Sequence, residues 1–415
     1  ANVLRWLYFD PEWHSRCQAV LDALNRHGTA IFLSRDHTRR LFTQDKVSIS
    51  RLEGFAQCPY RHFVNYGLKP VIRREYEFDP ADVGDFYHAA MEGYAALALK
   101  DPDFPDLPDE KIHALMDTVL LPLTTAWADG PLNETPSLRL QGEKYRRTVH
   151  RAAWMFTHHA QHSRFRTVGE EVVFGEEDGL PPVVLTLHDG RKIALRGKID
   201  RIDRWEGDEG VYLLVSDYKS SHRDIDPTRL WYGLQLQLLL YLQAACEGLD
   251  GNPAGAFYFT MKDPMVDTAD VKEAAEKAIA KKLHLKGIVL ADVDVVEALD
   301  SEPGYSFTKI FNADSSVASS SDGYTPEEMA ALLAHAKKMA AELADRIRSG
   351  EITPSPAVIS DWNACQWCDC AGVCKLDTSI PGHEKRELPP LSKQELLTRM
   401  ANDTDAPGNE EDTSP

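Results

Sequence analysis

The sequence predicts an α/β fold, a sheet flanked by helices and set in a helical surround, and three features carry that expectation. From Glu170 the chain breaks into short runs, EVVFG, VVLTLHDG, KIALRGKIDRID and VYLLVSDYK, separated by Gly, Asp and Glu. β-Branched and aromatic residues punctuated in this way mark neighbouring strands. The run RLWYGLQLQLLLYLQAACEG (229–248) is apolar nearly all round and too long for a strand, so it predicts a buried helix. Upstream, from about 46 to 166, the pattern is mainly helical. Strands gathered in one stretch with helices on both sides give an α/β core inside a helical shell.

Residues 1 to about 45 read as helix, with WHSRCQAVLDALNRHG closing on a glycine stop, and look like the tail of something preceding rather than a domain. The proline-rich, acidic DPDFPDLPDE (101–110) breaks the helical stretch that follows. AFYFTM (256–261) predicts a further strand, and the Ser-rich 313–323 a loop. TPEEMAALLAHAKKMAAELADRIRSG predicts a long helix capped by Thr325. The main domain is expected to span 46–390, with its strand-rich core at about 165–262, and 391–415 to form a flexible acidic tail.

With 415 residues, 43% of them hydrophobic and 27% charged, the chain can bury a sizeable core. No apolar run approaches a membrane span, and ANVLRWLYFD lacks the basic start and apolar centre of a signal peptide. The expectation is a cytoplasmic protein with no membrane partner. A net charge of −19 argues against a general polyanion coater. The charge is uneven, however. Residues 139–166 hold seven Lys/Arg and one acid, Glu143, and residues 191–204 add six more bases around Asp200 and Asp203. Lys144, Arg146, Arg147 and Arg151 are therefore candidate phosphate contacts, the alternative being a solvated face with its counter-charges elsewhere. Tyr145, Trp154, Phe165 and Trp205 could stack on unpaired bases or belong to the core.

Four of the seven cysteines fall in NACQWCDCAGVCK. Cys365, Cys368 and Cys374 form C-x2-C-x5-C, a spacing that favours a metal over a disulfide and lacks a fourth ligand. Cys58 is the best remote candidate and Cys370 the other, while Cys17 and Cys246 read as core thiols. Four thiolates hold zinc or an iron–sulfur cluster, and spacing does not decide between them. Either would clip residue 58 to residue 365 across a very long loop.

GKIDRID (197–203) and VSDYKSS (215–221) carry the acid and lysine chemistry. Strand alternation puts Asp217 and Lys219 on one face and Tyr218 on the other. Of Asp200 and Asp203, three apart, only one can share that face, and Asp200 is the candidate. Two carboxylates on paired strands offer the hard oxygen ligands that Mg2+ or Mn2+ prefers. Lys219 beside them can orient water or offset charge on a phosphate. His88, on an amphipathic helix, can add an imidazole. Gln237 and Tyr241, four apart, share a helix face that needs polar partners, whereas Gln235 points elsewhere.

In this order, His88, Gly197-Lys198-Ile199-Asp200, Asp217-Tyr218-Lys219 and Gln237 with Tyr241 resemble the RecB-type branch of the PD-(D/E)xK nuclease superfamily, over roughly residues 47–390. SISRLEGFAQCPYRHFVNYGL and CQWCDCAGVCKLD look like the nuclease region of the AddB family of bacterial helicase–nuclease proteins, which implies that residues 1–45 are the end of a preceding helicase-like region. The resemblance implies the superfamily's mixed sheet and a [4Fe-4S] cluster on Cys58, Cys365, Cys368 and Cys374 that staples the core. It implies Mg2+ or Mn2+ on His88, Asp200, Asp217 and the backbone carbonyl of Tyr218. Lys219 would position the hydrolytic water, while Gln237 and Tyr241 would hold the scissile strand or support the lysine. It further implies a heterodimer with an AddA-like helicase–nuclease that feeds in a DNA single strand, and cutting of the 5′-ended strand during repair of broken ends. No G-x4-G-K-[ST] loop occurs, so this chain alone is not expected to hydrolyse ATP. The same motifs fit a free-standing exonuclease of CRISPR-associated or phage type, and a non-catalytic iron–sulfur scaffold that binds DNA.

Overall fold

One long strand organises the sheet. In a computed structural model that describes residues 2–24, 31–42, 45–71, 79–125, 127, 130–264, 278–318, 321–379 and 383–404, Lys192–Gly207 (β4) pairs with four others. These are Lys46–Ser48 (β1), parallel, and Arg166–Phe174 (β2), Val184–Thr186 (β3) and Gly210–Lys219 (β5), all antiparallel. Asn252–Thr260 (β6) runs parallel to β5, and Lys286–Leu290 (β7) and Gly323–Tyr324 (β8) extend the sheet. The mixed order β1-β4-β5-β6-β7-β8, with β2 and β3 on β4, is the expected α/β architecture.

Helix Pro80–Ala98 packs with Asp109–Thr125 and Pro136–His162 in one layer. Asp79 starts the first of these with a capping box closed by Asp82. Helix Gln237–Leu249 makes the crossover between the parallel strands β5 and β6 and packs on both, with Ile49–Gln57 and Pro326–Arg348 against it. Thr325 and Glu328 form the capping box of the last, at the predicted place. A small sheet of Ala357–Ile359, Trp362–Asn363 and Arg386–Glu387 brackets the cysteine segment. No helix among the described residues is long and apolar enough to cross a membrane.

Two elements differ from expectation. The 229–248 helix is split: Pro227–Trp231 ends, Gly233 turns at φ +72°, and a new helix starts at Gln237. Gly233 is required twice over, since a Cβ there would also lie 2.8 Å from Met339 and 2.9 Å from Leu343. Part of the expected tail is a helix, Lys393–Thr404, because Leu396 and Met400 are buried against the core. Residues 405–415 of that tail lie outside the described residues.

Candidate active site

The site lies where β4 and β5 part. Their ladder ends at the pair Arg201 and Ser216, so Asp200 and Asp217 stand one residue beyond it. Asp200 Oδ2 accepts the Tyr218 N–H at 2.6 Å, a side chain taking the place of a ladder partner. Asp200 is only 5% exposed and Asp217 only 1%. Lys219 Nζ lies 2.5 Å from Asp217 Oδ2, on the shared face that strand alternation predicts. Asp203 goes elsewhere, accepting Thr167 Oγ1 at 2.6 Å and Arg201 Nε at 2.8 Å.

Helix Pro80–Ala98 brings in His88, whose Nδ1 is 3.5 Å from Asp200 Oδ1 and 3.1 Å from Glu171 Oε1. Glu171, on β2, is absent from the sequence-based candidates. It sits at φ +52°, a left-handed residue inside a strand, which is costly for a side chain other than glycine. Its neighbour Glu170 meets the Tyr218 hydroxyl at 3.3 Å, whereas Glu171 reaches His88 and ion-pairs with Lys198. The signal in the sequence was the Glu170-Glu171 pair itself, since two adjacent acids in a strand must serve opposite faces or bend it.

These charges crowd one another. Burial, and then the charge of Asp217, push the Asp200 carboxyl up to about 7, against the pull of His88 and the Tyr218 N–H. Burial disfavours the His88 imidazolium, but Glu171, Asp200 and Asp217 together outweigh it and raise the group above its ordinary value. For Glu171 burial is likewise overcome, and His88 and Lys198 hold it below the usual range. Ligand atoms of His88, Glu171 and Asp200 lie within 4.8 Å of one another. One imidazole and converging, partly desolvated carboxylates make a donor set that fits a hard divalent cation, which would relieve the like-charge crowding.

Gln237 Nε2 donates to Tyr241 Oη at 3.0 Å, so the two act as one unit. The Tyr241 ring meets Phe174 edge-on at 5.7 Å and closes over Gly197. A Cβ at Gly197 would come within 2.7 Å of Phe174 and 3.1 Å of Tyr241, which explains the glycine three residues before Asp200. Gln235 serves a different place, bonding the Tyr258 hydroxyl at 3.1 Å and the Asp224 carbonyl at 2.9 Å.

The basic candidates divide. Arg146 lies 4.0 Å from Asp117, and Arg151 3.4 Å from Asp263 and over the Trp154 ring. Lys144 and Arg147 are exposed, without an ion pair among the described residues. Trp154 and Phe165 are buried, and Trp205 stacks on Tyr212 at 5.6 Å. These three pack on the core rather than forming platforms for bases.

Cys58 is buried at the start of the short helix Pro59–His62, Cys365 is exposed, and Cys368 and Cys374 are half-buried. Among the described residues no three sulfurs close to single-ion distance. Burial pushes the thiols of Cys58, Cys365 and Cys374 up, with a further push from other cysteines of the set, Cys374 acting on Cys58 and Cys368 on Cys365 and Cys374. Cys370 is buried and pushed up to about 11 by burial and Cys368. The two ends of the frame touch directly: Tyr60 Oη donates to the Val373 carbonyl at 3.4 Å, and Arg386 donates to the Ala56 carbonyl.

The sequence pattern of the PD-(D/E)XK nuclease superfamily matches residues 46–375, from β1 to the residue after Cys374. The chain belongs to the PD-(D/E)XK nuclease superfamily. Within this superfamily it is similar to AddB proteins, which are named as components of an ATP-dependent helicase/deoxyribonuclease. That of Alkaliphilus metalliredigens is 31% identical over 97% of this chain and 36% of its own length. That of Thermoanaerobacter sp. strain X514 is 31% identical over 99% and 37%, and that of Acetivibrio thermocellus 32% over 97% and 36%. The chain thus spans a little over a third of the length of these relatives.

Proposed function

We propose that the chain is the nuclease part of an AddB-type protein: a metal-dependent deoxyribonuclease that hydrolyses a DNA single strand. The strand would be delivered by an AddA-like helicase–nuclease partner, in a cytoplasmic heterodimer that resects broken ends and cuts the 5′-ended strand. The observation that carries this reading is the convergence of His88, Glu171 and Asp200 within 4.8 Å, beside Asp217 and Lys219, at the parting of β4 and β5. The names of the relatives favour it over a free-standing exonuclease.

Mg2+ or Mn2+ held by His88, Asp200, Asp217 and the Tyr218 carbonyl, with Glu171 at hand, would supply Lewis-acid polarisation of the scissile phosphate. The Lys219 side chain stands beside that phosphate, where it orients water and offsets developing charge. The Gln237–Tyr241 pair holds the strand, and Lys144 and Arg147, with Arg146 and Arg151 nearby, bind its phosphates. Cys58, Cys365, Cys368 and Cys374 would hold a [4Fe-4S] cluster. Its part would be to staple residue 58 to residue 365, whose flanking segments already meet through Tyr60 and Arg386.

The test is cutting of 5′-labelled single strands by wild type and Asp217→Ala, with Mg2+ and with EDTA. Wild type is expected to cut only with metal, and the variant to be about a thousandfold slower, the equivalent of several kcal/mol of transition-state stabilisation. A wild type that cuts no faster than the variant overturns the enzyme reading and leaves the DNA-binding scaffold.

A further inference from the structure

The helix that carries Gln237 has no cap of its own. Leu236 precedes it in helical conformation with no side-chain cap, and the first N–H groups of any helix need outside acceptors. The Gln235 side chain is committed to Tyr258, Asp224 and the Asp226 N–H. The acceptor comes instead from 183 residues upstream. Glu53, midway along helix Ile49–Gln57, accepts the Leu236 N–H at 2.7 Å and the Gln237 N–H at 2.9 Å through one oxygen, Oε1.

We infer that Glu53 is a positioning residue of the nuclease site, fixing the first turn of the Gln237–Leu249 helix so that Gln237 and Tyr241 stand over Gly197 and the carboxylates. The inference rests on the nuclease reading above. An acceptor oxygen at a helix N-terminus satisfies N–H groups that have no partner within the helix, and here one oxygen takes two of them. Gln237 passes this constraint on through its 3.0 Å bond to Tyr241. Tyr241 packs on Gly197, which precedes Asp200 by three residues on β4. Glu53 is not part of the converging metal-ligand set, and its Oε1 is engaged by backbone. The same helix ends at Cys58, so one rigid element runs from the thiol frame to the strand-holding pair.

Rates on 5′-labelled single strands with Mg2+ should be measured for wild type, Glu53→Ala, Glu53→Gln, Gln237→Ala and the double variant Glu53→Ala/Gln237→Ala. Glu53→Ala is expected to lower kcat/KM by about tenfold or more, as for buried N–H groups left without their acceptor. Glu53→Gln, which keeps an acceptor oxygen, recovers most of it. The double variant is no worse than Gln237→Ala, because Glu53 acts through Gln237. Unchanged activity of Glu53→Ala, multiplying effects in the double variant, or a Glu53→Gln as slow as Glu53→Ala would overturn the inference. Should Glu53→Ala not fold, Glu53→Asp replaces it: one methylene shorter, it misses the N–H pair and loses activity where Glu53→Gln keeps it. A wild type that does not cut sinks the nuclease reading instead. The link is then read by amide exchange, which should quicken at Leu236 and Gln237 when Glu53 is replaced by alanine or aspartate, and unchanged exchange refutes it.

Discussion

Two groups of candidate ligands in this chain are held in opposite ways. The carboxylates of Asp200 and Asp217 lie inside a sheet, nearly inaccessible, each placed by strand register and by bonds from backbone or Lys219. The thiols of Cys365, Cys368 and Cys374 sit on a short, partly exposed segment bracketed by strands of two and three residues. The first site is assembled before anything binds, and that costs a charge crowd whose mark is the raised Asp200. In the second the two ends of the thiol frame meet through Tyr60 and Arg386, while among the described residues no three sulfurs close to single-ion distance. The carboxylate site is preorganised, while the thiol frame, on the reading proposed above, is a fastening that its cluster would complete.

That contrast breaks most sharply if the cysteines turn out to be dispensable. Cys58→Ser is expected to lose iron and sulfide and to destabilise the chain by several kcal/mol, because a long loop is no longer closed. Cys370→Ser should change neither metal content nor melting appreciably. Iron and acid-labile sulfide analysis under anaerobic conditions, with thermal melts, checks both. A colourless wild type carrying one zinc would remove the iron–sulfur reading, and a Cys370→Ser as damaged as Cys58→Ser would reassign the ligands. Asp217→Ala, by comparison, should leave both metal content and melting of the thiol frame intact.

A smaller effect tests how tightly the carboxylate side is built. Gly197→Ala puts a Cβ 2.7 Å from Phe174 and 3.1 Å from Tyr241. Overpacking of this kind costs about 1–3 kcal/mol and is relieved here by moving one ring or the other. The expected result is a fall in kcat/KM of about tenfold through displaced Tyr241, with iron and sulfide content unchanged. Full activity would mean that the tyrosine need not stand where it does.

What the sequence made legible follows the range of the forces involved. Asp217, Lys219 and the choice of Asp200 over Asp203 came from strand alternation, a rule two residues long, and the structure puts those three in one place. Glu171 escaped because its positive φ breaks that alternation. The break within the predicted 229–248 helix escaped because periodicity does not register a single left-handed glycine, and the N–H groups at the second helix's start are taken by Glu53. A contact across 183 residues leaves no local trace. Trp154 and Phe165 were candidate stacking platforms only because exposure is a tertiary property.

A last test concerns the protonation of Glu53, whose helix joins the two regions. Burial pushes its carboxyl from 4.5 up to about 7, despite the opposing Leu236 and Gln237 N–H bonds and the attraction of Arg223 and Lys219. A carboxyl raised on folding binds its proton more tightly in the folded chain than in the unfolded one. Its contribution to stability is therefore fully present below about 4.5, declines as pH rises toward about 7, and is lost above that. Glu53→Gln is neutral throughout and keeps the acceptor. Its stability relative to wild type should rise between about pH 5 and pH 7 and then level off, as read from urea unfolding across that range and above it. The opposite slope, with wild type gaining on the variant as pH rises, would mean that the helix N-terminus, Arg223 and Lys219 together outweigh the loss of water. Glu53 would then hold Gln237 by charge, and the two ends of its helix would respond to pH in the reverse sense.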